Sequence, residues 1–134
     1  MYVAPKSTEV IKTWGSAGTF RNAISTTNGV NNTNTLYGFG NAAHPAAYYA
    51  KTLTTGGYNT WYLPAIDELN TLYSNKSATP FATSNSFGAL FYWSSTEVNG
   101  SDVWGQYMPT GIQNNGIPKN NTNPAVRATR RSTV

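Results

Sequence analysis

The sequence predicts an α+β domain, with two helices packed on a small antiparallel sheet and long irregular loops between elements. Three observations carry that expectation. Two stretches of the first half, "NAAHPAAYYAKTL" and "PAIDELNTLY", place apolar residues at helical spacing. The second half reads instead as strands, in "LFYWSST", "DVWGQYMP" and "AVRATRR". Elsewhere Asn, Thr, Ser and Gly dominate, and only 10% of the 134 residues are charged.

In chain order, "TEVIKTWGS" predicts a short strand stopped by Gly15, and "STTNGVNNTNTLYGFGN" has no apolar period and predicts an irregular loop. Asn41 is expected to cap the first helix. Pro45 belongs in its first turn, where a missing N–H costs little. Ala46, Tyr49, Ala50 and Leu53 form its apolar stripe, and Gly56 and Gly57 close it. "WYLP" is a buried strand or bend leading to a second helix opened by Pro64. There Asp67 and Glu68 occupy the first turn, and Ile66, Leu69 and Leu72 or Tyr73 face inward. "SNKSATPFATSNSFGA" is a loop, "LFYWSST" a central strand, and "DVWGQYMP" its neighbour through the turn "EVNGSD". With no repeat and no boundary, residues 1–134 are expected to form one domain.

Composition narrows the function. Aromatics reach 13%, including four Trp and nine Tyr, which fits a packed core and not a disordered chain. The absence of cysteine excludes disulfides, thiolate metal sites and cysteine nucleophiles. The net charge of +4 is mild; "RATRR" is expected to be a solvated basic tail, with polyanion contact as the alternative. No apolar run approaches a membrane span, and "MYVAPKSTEV" lacks a signal-peptide core. An extracellular, cell-surface or virion protein of this kind would be released by lysis, by a special route or within a particle.

Catalytic chemistry finds little purchase. His44 is the only histidine and has no evident acid or nucleophile partner, so it is expected to be a filler. Asp67 and Glu68 are adjacent on a helix and point in different directions, so they cannot share one acid/base site. They are expected to serve the helix N-terminus, with Glu68 buried against an arginine such as Arg127 or Arg130. The turn holding Glu97, Asn99 and Asp102 offers at most three side-chain ligands where calcium wants six or more oxygens. Interleaved cations and aromatics for nucleic acid are also lacking. The expectation is a protein that is not an enzyme, has no cofactor or metal, and contacts neither nucleic acid nor membrane. Trp61, Trp93 and Trp104 are expected in the core, and Tyr58, Tyr62 and Tyr107 at exposed contacts. Trp14, among polar neighbours, is assigned to neither.

Taken together, "AAYYAKTLTTGGYNTWYLPAIDELNTLYSN", "YWSSTE", "VWGQYMPTGIQ", Lys119 and "VRATR" resemble the Lcl C-terminal domain family, from about Trp14 to Arg131. The resemblance implies a C-type-lectin-like fold and a binding scaffold. The cysteine of the formylglycine-generating branch is missing, as are the Glu-Pro-Asn and Trp-Asn-Asp calcium motifs, so neither that oxidase nor a calcium-dependent lectin is implied. A subset of such domains is similar to the variable proteins of diversity-generating retroelements. Those elements rewrite adenines, so that Asn codons become many others but never Trp, Gln, Glu, Lys or Met.

The region 92–130 divides accordingly. The excluded types occupy Glu97, Trp104, Gln106, Met108, Gln113 and Lys119. None appears at the interleaved positions 98–102, 105, 107, 109, 110, 112, 114–118 and 120–125. Strand alternation makes the same division, with Trp104, Gln106 and Met108 on one face and Gly105, Tyr107 and Pro109 on the other. Pro109 also marks a strand end or edge.

The expected contact surface begins with Val98, Asn99, Gly100, Ser101 and Asp102, then takes in Gly105, Tyr107, Pro109, Thr110 and Ile112. It ends with a loop holding Asn114, Asn115, Ile117, Asn120, Asn121 and Asn123. Tyr107 and Ile112 would be apolar anchors among adaptable amides and hydroxyls. The implied partner is a protein or glycan on a cell or particle surface. Two alternatives remain open: a fixed adhesin for glycans or sulfated polyanions, and a structural trimerising component of a tail fibre or surface particle, a homo-oligomer.

Overall fold

The computed structural model describes residues 1–76 and 86–131. Among the described residues it is an α+β structure with three α-helices and two sheets. The elements are β1 (Tyr2–Val3), β2 (Val10–Ile11), α1 (Gly29–Tyr37), α2 (Pro45–Thr52), α3 (Ile66–Ser74), β3 (Phe91–Glu97), β4 (Asp102–Tyr107), β5 (Gln113–Pro118), β6 (Ala125–Val126) and β7 (Thr129–Arg130). The main sheet has the order β2-β6-β3-β4-β5, all antiparallel except the β3–β6 pair. A second, two-stranded sheet pairs β1 with β7, matching Tyr2 with Arg130 and Val3 with Thr129.

The third helix corrects the sequence expectation. α1 lies in the stretch predicted to be loop. Its buried residues, Gly29, Asn32, Thr33 and Leu36, keep helical spacing, but two of them are polar, which hides the period from a hydrophobic reading. Those two side chains bond backbone instead of packing. Asn32 Nδ2 donates to the Ser25 carbonyl at 2.7 Å, and Thr33 Oγ1 accepts from Leu63 N at 3.0 Å. Asn28 caps the helix by accepting from Asn31 N at 3.0 Å.

α2 begins at Pro45, after His44 and not after Asn41, and ends at Thr52 with Leu53 as its C-cap; Gly56 and Gly57 lie in a following 3-10 turn. α3 keeps the expected apolar face but starts at Ile66, two residues after Pro64, with Ala65 as its N-cap. Ile66, Leu69 and Leu72 are buried, and Glu68 reaches back to Ala65 N at 3.1 Å. The loop expected over residues 74–89 lies partly outside the described residues.

β3 is the central strand, buried from Tyr92 to Glu97. Its polar residues are therefore hydrogen-bonded. Ser94 Oγ donates to the Trp104 carbonyl, and Thr96 Oγ1 donates to the Ser25 carbonyl. Strand alternation splits the core in two. Trp93 and Val103 join α1 and α2 residues, Trp14, Trp61 and Ile117 in one cluster. Tyr92, Trp104 and Met108 pack against α3 in the other.

The end of the chain also departs from expectation. "AVRATRR" is not one strand but two short ones in different sheets, and its cations are mostly interior. Arg127 is buried, donating to the Ala4 carbonyl at 2.7 Å and pairing with Glu9 at 3.2 Å; its burial lowers its pKa. Glu68 meets neither Arg127 nor Arg130. Its ion-pair partner is the exposed Arg131, at 3.8 Å, while Gly29 N and the Tyr62 hydroxyl donate to its carboxylate.

Candidate functional site: the open face of β3, β4 and β5

β4 carries the alternation expected of it, and the two faces differ in kind. On the α3 side, Gln106 is fully buried and donates to Asn70 Oδ1 at 2.8 Å and to the Gly111 carbonyl at 3.1 Å. Met108 is buried and Trp104 half-buried beside it. On the other face lie Val103, Gly105 and Tyr107, and here the expectation of a free surface needs correction. Val103 and Gly105 are buried, because Ile117 of β5 folds over them. A Cβ at Gly105 would stand 2.5 Å from Ile117 Cδ1 and 3.0 Å from the Tyr92 carbonyl. Gly105 and Ile117 therefore support the surface from below.

Beyond Ile117 the same face opens into a concavity of about 320 Å³. Its walls include Phe91, Tyr107, Asn114, Ile117, Asn121 and Asn123. Phe91 and Tyr107 are directly opposed across the antiparallel pair, with ring centroids 5.2 Å apart. The lining carries no charged side chain. Phe91 was not among the sequence candidates; the register that sets it opposite Tyr107 is the signal that identifies it.

The β4–β5 turn is held from beneath. Tyr107 N donates to the Ile112 carbonyl at 2.8 Å, Gly111 N to the Tyr107 carbonyl at 2.7 Å, and Lys76 Nζ to the Met108 carbonyl at 2.7 Å. Gly111 has φ +79°, and a Cβ there would meet the Tyr73 ring at 2.5 Å, so this glycine belongs to the frame. Pro109, Thr110 and Ile112 are left exposed, Ile112 by 59%. The stretch 114–118, expected to be loop, is strand β5 at the sheet edge, with Asn114 and Asn115 exposed on it.

The remaining candidates lie at the opposite end of the β3–β4 hairpin. Asn99 and Ser101 are exposed in the 98–102 turn, while Val98, Gly100 and Asp102 are half-buried. Asn120 is exposed nearby, where Lys119 N donates to the Ser101 carbonyl at 2.9 Å. The candidates thus form a strip along β4 and β5 with the concavity set into it, not one pocket. Three amides are partly committed to local turns: Asn99 accepts from Ser101 N and Asp102 N, Asn114 from Gly116 N, and Asn121 from Asn123 N.

Glu97 and Lys119 lock the base of this strip. Both side chains are fully buried, with Lys119 Nζ 2.7 Å from Glu97 Oε2. Lys119 also donates to the Thr19 carbonyl at 2.8 Å, and Glu97 accepts from Arg21 N and Ala23 N. Both carboxylate oxygens of Glu97 are therefore taken by protein donors, which removes one of the two carboxylates of the 97–102 turn from metal ligation. Among the described residues no three His, Asp or Glu side chains are grouped to hold a metal ion, and no helix is long and apolar enough to cross a membrane.

His44 is buried and accepts from Arg21 Nε at 3.1 Å. Burial, reinforced by the Arg21 charge, lowers its pKa to about 4, so the ring is neutral near pH 7. Tyr62, expected at an exposed contact, is buried; burial and the Glu68 carboxylate raise its pKa. Trp14 is core, its Nε1 donating to the Ser94 carbonyl at 2.9 Å.

The class defined by this arrangement is an α+β scaffold with a hydrogen-bonded frame and an exposed, chemically mixed strip on β4 and the edge strand β5. The chain belongs to the Lcl C-terminal domain family, whose model matches residues 8–130. No curated protein matches the chain.

Proposed function

We propose that this domain binds a protein or glycan on a cell or particle surface through its β4–β5 strip, and that the strip is sequence-diversified by a retroelement. On this reading the fold is C-type-lectin-like and the protein is displayed extracellularly, on a cell surface or on a virion. It catalyses no reaction and takes no cofactor; its partners do not include nucleic acid or membrane.

One observation carries the proposal: frame and strip separate by burial along the same lines as by residue type. Glu97, Gln106, Met108 and Lys119 are buried and Trp104 is half-buried. Tyr107, Pro109, Thr110, Ile112, Asn114, Asn115 and Asn120 reach solvent. Replacement at the second set leaves the core undisturbed, which is the condition for a surface that varies without unfolding. The exceptions are Gln113, an excluded type that is exposed on β5, and the interleaved Gly105, Ile117, Pro124 and Ala125, which are buried.

The polyanion alternative draws less support, since Arg127 and Arg130 are both buried. Two results test the proposal. A neighbouring reverse transcriptase with a near-copy of the 92–130 coding region, carrying Asn codons at the interleaved positions, is expected; its absence favours a fixed adhesin. Tyr107→Asp with Ile112→Asp is expected to abolish ligand binding while leaving the melting temperature nearly unchanged. Unfolding of that variant would place both residues in the core.

A further inference from the structure

A second site stands apart from the strip, at the β1–β7 sheet. The Arg130 side chain is only 7% exposed, and its guanidinium lies 3.5 Å from the centroid of the Tyr58 ring, 4.2 Å from Tyr2 and 5.5 Å from Trp61. Its Nε is buried with no hydrogen-bond partner, and among the described residues no carboxylate or carbonyl engages the group. The contrast with its neighbours is informative. Lys119 meets Glu97 and Arg127 meets Glu9, as buried cations must if their desolvation is to be offset. For Arg130 the aromatic faces supply part of that compensation. They satisfy none of the in-plane N–H donors.

A hollow of about 210 Å³ opens beside this group, lined by Tyr2, Thr55, Gly56, Tyr58, Trp61 and Arg130 among others. Tyr2 and Tyr58 are exposed at its mouth. It shares no lining residue with the β4–β5 concavity. On the far side of Trp61 a neighbouring hollow holds Lys51 and Arg131. Their field favours the approach of an anion.

We propose that the Arg130 hollow binds a small monocarboxylate carried on a flat or ring-shaped body. Arg130 lines the hollow with its Nε unpartnered, and the paired N–H donors of a guanidinium match the two oxygens of a carboxylate. The lining holds one positive charge and no acidic residue, which suits a singly charged anion. The exposed faces of Tyr2 and Tyr58 would hold the body of the ligand. This site does not depend on the role proposed for the strip.

The test is a ¹⁵N–¹H NMR titration of the whole chain with sodium glucuronate and with sodium benzoate, using glucose and sodium chloride as controls. The Arg130 Nε–H and Trp61 indole N–H signals are expected to shift saturably with at least one carboxylate and with neither control. Response to glucuronate alone identifies a sugar acid, and response to benzoate alone an aromatic acid. Arg130→Lys, which keeps the charge but loses the fork, should weaken binding at least tenfold. Should that variant fail to fold, Tyr58→Ala, a change at an exposed ring, should still weaken binding several-fold. Shifts that are absent, non-saturable or equal in the controls would overturn the proposal, as would undiminished binding by Arg130→Lys.

Discussion

Lys119 illustrates how the frame differs from the strip at the scale of single residues. Its ammonium is fully buried against Glu97, so removing it leaves a carboxylate charged in the interior. Lys119→Met is expected to destabilise the fold by about 3–5 kcal/mol in urea unfolding, whereas adding Glu97→Gln should recover part of that loss. Ile112, 59% exposed, should tolerate Ala within about 0.5 kcal/mol. His44 gives a pH signature. Its folded pKa of about 4 lies below the unfolded value near 6.5, so its contribution is complete above pH 6.5 and is lost as pH falls toward 4. That contribution amounts to at most about 3 kcal/mol. His44→Gln should flatten the decline in stability between pH 6.5 and 5 if the variant folds.

Much at this scale was legible in the sequence, because Trp, Gln, Met and Lys placed at alternating positions mark a packed face. What escaped was the use of polar groups inward. No pattern in "NNTNT" reveals that Asn32 and Thr33 bond buried backbone, nor that Asn99, Asn114 and Asn121 fold onto their own turns. Arg127 and Arg130 were expected either in a solvated tail or against Glu68, since the sequence does not show that Glu9 and a trio of aromatic rings await them.

Among the elements, α3 and β3 were readable for ordinary reasons: an apolar stripe at helical spacing in one, and a short apolar run bounded by turn residues in the other. α1 was not, because its stability comes from tertiary hydrogen bonds and a cap more than from propensity. β5 escaped because "QNNGIP" has low strand propensity and is recruited by pairing with β4. That pairing makes a specific demand on two interleaved positions. Ile117 sits where a Cβ at Gly105 would stand, and it also lines the concavity. Gly105→Ala should cost about 1–3 kcal/mol by overpacking. Ile117→Ala in the same chain should relieve it, with a coupling of at least about 0.5 kcal/mol in a double-mutant cycle. Additive effects would show that the two positions vary independently.

For the molecule as a whole, the α+β class followed from the order of helical and strand patterns, and the β1–β7 pairing of the two ends did not, because two-residue strands leave no periodic trace. The resulting organisation sets α3 on one side of the β4–β5 hairpin and an open concavity on the other. Backbone bonds and buried polar pairs keep the strip in shape, and of its exposed side chains Asn99 and Asn114 also hold their own turns. The most direct test is a display library in which Tyr107, Pro109, Thr110, Ile112, Asn114 and Asn115 are randomised together. It would be sorted first for protease resistance and then for binding to a panel of unrelated proteins. Most members should remain folded, and binders to different targets should carry different residues at these six positions. A library that is largely unfolded, or whose binders owe nothing to these positions, would contradict the assignment of this strip to recognition.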